Sequence, residues 1–319
     1  MRRPLVVATS AVGLGIVVAA AVVLGVRALP VSHHGAVKSS STALGTVSPS
    51  SAAATSRPPT PSGTAATSTA LTWIINGTAL REVLAIDPAA ASVFNNPHTF
   101  VLFDGSSTRP ALPAGWTGVV TLVFKSEATL QSALDSGVSS NVGAVLYDNE
   151  HWSFTPLQEQ QNPAHYEALA AAAAHAHHLT FIAAPAVDLT RVLEPGASDH
   201  YAAYLRAGIA SGAARYADVI DLQAQNTEIE ASSYVAFVTG AAAQARAANA
   251  HVTVLAGLTT NGSGVTPGLL ASDFTAVRAT VAGFWLNVPG QGASCPNCGP
   301  ARPDIAAAFL NDLHMRGAI

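Results

Sequence analysis

The sequence predicts a (β/α)8 barrel over residues 71–319, preceded by an N-terminal transmembrane or signal segment (1–31) and a disordered linker (32–70). Three observations lead to that fold class. Eight short runs rich in β-branched and aromatic residues recur after Leu71. Alanine-rich stretches of helical length separate them. The runs are apolar nearly throughout rather than alternating, the pattern of parallel strands covered by helices. Eight strand–helix units in about 250 residues fit a closed barrel better than an open doubly wound sheet. No glycine-rich phosphate loop follows the first run, which argues against a nucleotide-binding sheet.

Taken in order, the chain opens with Arg2 and Arg3 and then an uncharged apolar run from Leu5 to Val26. That run is long enough to cross a hydrocarbon layer of roughly 30 Å. The leading positive charges favour an N-terminus inside and the remainder outside. Two readings stand side by side: an uncleaved signal anchor and a cleaved signal peptide. Both export the rest of the chain, so the expected location is the cell membrane, with one N-terminal span, or the exterior. Residues 32–70 are dominated by Ser, Thr, Ala and Pro, as in "SSAAATSRPPTPSGTAATSTA". Such a stretch buries too little apolar surface to fold and reads as a tether.

The eight strand runs are "TWIIN" (72–76), "TFVLFD" (99–104), "GVVTLVFK" (118–125), "VGAVLYD" (142–148), "LTFIAAP" (179–185), "ADVIDLQAQ" (217–225), "HVTVLAG" (251–257) and "AGFWLNV" (282–288). Helices are expected over 163–177, 199–213, 231–249 and 303–315. The first of these has Asn162 as its cap and Pro163 at its first position. Charged residues are only 11% of the chain and the net charge is −4. Without a basic footprint, nucleic acid is not an expected partner.

Chemistry in such barrels gathers at the C-terminal ends of the strands. Those ends carry Asp104, Lys125, Asp148, Glu150, Asp188, Gln223, Gln225, Asn226, Thr259, Trp285 and Asn287. In "YDNEHW" (147–152), strand alternation sends Asp148 and Glu150 to one side and Tyr147 and Asn149 to the other. Two shielded carboxyls that close cannot both ionise freely, so one is held protonated. A neutral carboxylic acid is what protonation of a glycosidic oxygen requires. Asp221, Gln223 and Gln225 recur at period two on the sixth run. Trp285 can floor a sugar ring, Asn287 shares its face, and Trp152 and His151 can line the same cleft.

These residues carry a resemblance. "VGAVLYDNEH" resembles the fourth strand of chitinase-type, family-18 glycoside hydrolases, whose pattern ends D-x-D-x-E. Asp148 and Glu150 match its last two acids, whereas Leu146 replaces the first Asp. "FIAAP", "ADVIDLQAQN", "VTVLAGLTT" and "AGFWLNV" are similar to the fifth to eighth strands of the plant-type branch, so the likeness spans roughly 142–288. The resemblance implies a TIM barrel that hydrolyses an N-acetylglucosamine-containing glycan by substrate assistance, with Glu150 as acid/base and Asp148 orienting the acetamido group. Gln223, Gln225, Asn226, Trp285, Asn287, Trp152 and Asp104 are the expected substrate-binding residues. The expected partner is a polysaccharide or cell-wall glycan, with no cofactor and no metal. The sequence also departs from the family: Gln225 stands where a tyrosine is usual, and the third-strand S-x-G-G is missing from "VVTLVFKS". A non-catalytic carbohydrate-binding or scaffold barrel is therefore the alternative.

A rival glycosidase reading pairs Asn149-Glu150 with a second acid, for which only Glu228 or Glu230 is near at hand. Cys295 and Cys298, the only cysteines, form "SCPNCGP", and in an exported chain they predict a local disulfide rather than half a zinc site. His175, His177 and His178 lack the i, i+4 spacing of helix-borne metal ligands and read as charge near a helix C-terminus.

Overall fold

The computed structural model describes residues 70–108 and 110–319. The expected membrane or signal segment and linker lie outside these residues. Among the described residues, no helix is long and apolar enough to cross a membrane.

Eight parallel strands close into a barrel: β1 (Thr72–Asn76), β2 (Thr99–Asp104), β3 (Val119–Phe124), β4 (Val142–Tyr147), β5 (Thr180–Ala183), β6 (Val219–Leu222), β7 (Thr253–Thr259) and β8 (Gly283–Asn287). Closure joins β1 to β8, with Ile74 opposite Trp285. The helices are α1 (Gly77–Ile86), α2 (Ala91–Phe94), α3 (Glu127–Ser136), α4 (Leu157–Gln161), α5 (Pro163–Ala176), α6 (Thr190–Leu193), α7 (His200–Ala207), α8 (Ile209–Ala214), α9 (Ala231–Ala248), α10 (Pro267–Val277) and α11 (Pro303–Met315). This is the TIM-barrel architecture.

Two apolar clusters follow from strand alternation. One fills the barrel: Ile74, Phe100, Leu102, Leu146, Ile182 and Leu255 pack beneath Trp285. The larger one lies between strands and helices. There the alanines of α9 (Ala241, Ala242, Ala245) and of α8 (Ala210, Ala213) are buried in one cluster. Small side chains let helices approach their neighbours closely, which explains the alanine richness of this sequence.

Three local expectations are corrected. The helix expected over 199–213 is two helices, because Gly208 takes a left-handed φ of 65° and ends α7. Asn162 does not cap α5 with its side chain; its Nδ2 instead donates back to the Gln158 carbonyl at 3.3 Å. The sixth strand stops at Leu222 rather than running to Gln225, because the Ala224 N–H turns back onto the Leu222 carbonyl at 2.6 Å.

Candidate active site

The site is built from the chain just past each strand end. Asp148 is the first residue after β4, and its backbone N–H donates to the Phe124 carbonyl at 2.8 Å, extending the β3–β4 pairing by one step. Alternation persists beyond the strand. Tyr147 and Asn149 face the helices, where the Tyr147 hydroxyl donates to Glu159 Oε2 at 2.6 Å and Asn149 Nδ2 to the Glu159 carbonyl at 3.4 Å. Asp148 and Glu150 face the other way, into a cavity of about 420 Å³ at the barrel mouth.

That cavity is lined by Asp104, Trp152, Gln223, Gln225, Asn226, Trp285 and Asn287 together with the two acids, and by Cys295 and Cys298. Lys125 and Thr259 border the same cleft, whereas Asp188, which lines a neighbouring cavity, Asp221, which is fully buried in β6, and His151 do not. His151 is exposed; its Nδ1 lies 2.7 Å from Gln160 Oε1, outside the cleft. Asn76, Asn261 and Ser294 also line the cleft and escaped the sequence reading. Asn76 had a detectable signal, because it ends the first strand run and caps α1 through a 2.8 Å bond from the Thr78 N–H.

The electrostatics separate the two acids. Burial pushes Asp148 up to about 6, against the pull of a hydrogen bond from Glu150, the nearby Lys125 charge and the Gln223 amide. Gln223 Nε2 donates to Asp148 Oδ1 at 2.9 Å and to the Ala184 carbonyl at 2.7 Å. Glu150 is raised well above the usual carboxylate range, by burial first and then by the charges of Asp148 and Asp188. Burial thus pushes both carboxyls toward the protonated form, and the two titrate as a pair.

Lys125 borders the same cleft. Its Nζ sits 4.9 Å from the Trp152 ring centroid and 4.5 Å from that of Phe154, and it donates to Ser294 Oγ at 2.5 Å. Through Ser294 it fastens the loop after β8, which Cys295 and Cys298 close with a disulfide. Asp104 accepts from the Ser106 hydroxyl and backbone N–H, which hold its carboxyl below the usual range. On the cleft floor, Gln225 lies over Gly257, the β7 partner of Trp285. Gln225 Oε1 and Trp285 Nε1, an acceptor and a donor, are both buried without a partner in the protein.

Three acids are held elsewhere. Glu159 accepts from Tyr147, from Ser126 Oγ at 3.1 Å and from the Glu127 N–H at 2.8 Å, so it caps α3 from inside the protein. Glu228 is buried and accepts the Thr259 N–H at 2.8 Å, while burial pushes it up to about 7. Glu230 is exposed at the start of α9. Neither Glu228 nor Glu230 lines the cleft, so neither stands opposite Glu150 there as the rival pairing requires. Away from the cleft, His175 pairs with Asp218 at 2.9 Å, which gives one member of the histidine cluster a structural partner.

The sequence matches no family model and no curated protein sequence. Among solved structures, it is similar to triosephosphate isomerase from Bartonella henselae, at 11% identity and a TM-score of 0.40 over 76% of this chain and 100% of that one. It is also similar to a chitinase from Chromobacterium violaceum, at 13% identity and a TM-score of 0.46 over 76% of this chain and 99% of that one. A sugar phosphate isomerase/epimerase from Parabacteroides distasonis shares 8% identity at a TM-score of 0.44, over 80% of this chain and 97% of that one. The barrel itself is defined by its own strand pairing, and at these identities none of the neighbours' activities transfers to this chain.

Proposed function

We propose that the chain is an extracellular glycoside hydrolase, carried on or released from the membrane by its N-terminal segment, that cleaves an N-acetylglucosamine-containing glycan by substrate-assisted catalysis. One observation carries this reading: Asp148 and Glu150 stand side by side on the wall of one cleft with Trp285, where burial pushes both carboxyls toward the protonated form. The fourth-strand likeness to family-18 hydrolases points to the same pair.

In the first step the substrate's acetamido oxygen attacks the anomeric carbon and the glycosidic bond breaks. The bonding electrons go to the leaving oxygen, which takes the Glu150 proton. The cyclic oxazolinium ion so formed carries positive charge beside its N–H, and the Asp148 carboxylate holds it. In the second step Glu150, now ionised, takes a proton from water as the water oxygen attacks the anomeric carbon. The ring opens to the acetamide and Glu150 is protonated again. Two inversions give net retention, with no second protein nucleophile. Gln225 Oε1 and Trp285 Nε1 supply an acceptor and a donor for polar groups of the sugar.

A second reading is a binding barrel without turnover. Leu146, where the family carries its first Asp, is fully buried in the apolar interior of the barrel, and Gln225 has no phenolic hydroxyl to offer. The two readings separate in one experiment on the full chain with chitin oligosaccharides and peptidoglycan fragments. The hydrolase reading expects turnover that falls by about 10²–10⁴-fold in Glu150→Gln while glycan binding persists. Equal binding by both forms with turnover by neither supports the binding barrel. Binding and turnover by neither form overturns the amino-sugar assignment.

A further inference from the structure

Beside Glu150 a second cavity, of about 310 Å³ and without Trp285 in its lining, opens between the loops that follow β5 and β6. It shares Glu150, Gln223, Gln225 and Asn226 with the main cleft, so Glu150 stands on the ridge between the two. An acid that protonates a glycosidic oxygen has one sugar on each side of it. With the acetamido sugar over Trp285, the leaving-group sugar falls in this second cavity.

The cavity's cation is Arg191 of α6. Helical spacing offers it two acids, Asp188 three residues before and Glu194 three residues after. Both are engaged elsewhere. Asp188 Oδ1 accepts the His151 N–H at 2.9 Å, and Glu194 Oε2 pairs with Arg206 Nη2 at 2.7 Å. Among the described residues Arg191 has no ion pair. The walls around it are fixed: the Tyr201 hydroxyl donates to the Gln225 carbonyl at 3.0 Å, and His200 Nδ1 lies 2.7 Å from Thr190 Oγ1.

The geometry points to this cavity as the leaving-group subsite, with Arg191 selecting a sugar that bears a carboxylate. The inference rests on the glycosidase reading of Glu150. A planar guanidinium with no protein partner matches a carboxylate through two parallel hydrogen bonds. Asp188 brings a negative charge to the same cavity, and sugar hydroxyls, which donate, suit its second oxygen. An acidic sugar therefore satisfies both charges, whereas a neutral one leaves Arg191 unmatched. A lactyl ether on an amino sugar and a uronic acid both offer that carboxylate.

Three tetrasaccharides test this against the full chain carrying Glu150→Gln, so that none is consumed. All place N-acetylglucosamine over Trp285; the next sugar is neutral N-acetylglucosamine, a lactyl-bearing amino sugar or a uronic acid. The expected result is that at least one acidic ligand binds about tenfold or more tightly than the neutral one. The tighter of the two acidic ligands identifies the source of the carboxylate. That advantage disappears when Arg191→Ala is added, is partly kept with Arg191→Lys, and weakens with added salt. Equal binding of all three, or an acidic advantage that survives Arg191→Ala, overturns the subsite and leaves the hydrolase reading standing. Binding of none overturns both.

Discussion

Gln223 and Asp148, 75 positions apart in the chain, are joined by a 2.9 Å hydrogen bond at the barrel mouth, from the carboxamide Nε2 to Oδ1. The same amide nitrogen is anchored on the Ala184 carbonyl at 2.7 Å. One side chain thus links the ends of β4, β5 and β6 and holds a carboxylate that burial would otherwise protonate.

On the proposed mechanism, this bond is expected to set the acid limb of the pH–rate profile. The proposed mechanism needs Asp148 ionised and Glu150 protonated, so kcat/KM is expected to rise through the lower step of the pair, near pH 6, and to fall through the upper one. A bond donated to the ionised form lowers a carboxyl pKa, so removing it raises that pKa. Gln223→Leu is expected to move the acid limb toward higher pH by about one unit. An acid limb unchanged in position would detach Gln223 from the titration of Asp148.

Stability is expected to fall, not rise, between weakly acidic and weakly basic pH. Asp221 is fully buried inside the barrel with neither carboxyl oxygen partnered, and burial raises it well above the usual carboxylate range. Asp273 and Glu228 are raised to about 6 and about 7. Over the window from their unfolded values near 4 up to these raised values, the folded state binds more protons than the unfolded state. The unfolding free energy therefore decreases as pH rises through it. Asp221→Asn removes one titrating group and should flatten the fall, measured as Tm at pH 5 and pH 8. A variant whose Tm difference between the two pH values equals that of the parent would contradict this.

Two glycines on adjacent strands should respond differently to alanine. A Cβ at Gly283 would lie 1.8 Å from the Thr72 carbonyl oxygen, on the seam where β1 meets β8. Backbone cannot yield there, so Gly283→Ala is expected to destabilise by more than about 3 kcal/mol in urea unfolding, or to prevent folding. The atoms nearest a Cβ at Gly257 would belong to the Gln225 side chain, with Cδ at 2.4 Å. That amide can swing away, so Gly257→Ala should weaken glycan binding with Tm nearly intact. Comparable loss of stability in both variants would contradict the contrast.

Much of this architecture was legible because it depends on period and composition. Eight apolar runs gave the strands, and alternation across "YDNEHW" put Asp148 and Glu150 on one side even though both lie beyond the end of β4. The cleft residues were found because barrel chemistry gathers at strand ends. What sequence concealed came from bonds distant along the chain. Nothing near Glu159 announces that Tyr147, Ser126 and the start of α3 will converge on it. Ser294 and Asn261 sit in loops without period, and only the closed barrel brings them to the cleft. The turn that ends β6 at Leu222 is a local backbone event inside a run whose side chains still look like strand.

The central claim is that the substrate's own acetamido group is the nucleophile, with Glu150 and Asp148 serving it. The most direct measurement compares hydrolysis by the full chain of an N-acetylglucosamine oligosaccharide with that of its de-N-acetylated form, following the anomer first released. Cleavage of the acetylated substrate with retention is expected, with a loss of about a hundredfold or more without the acetyl group. Equal rates on the two substrates, or release of the inverted anomer, would contradict it.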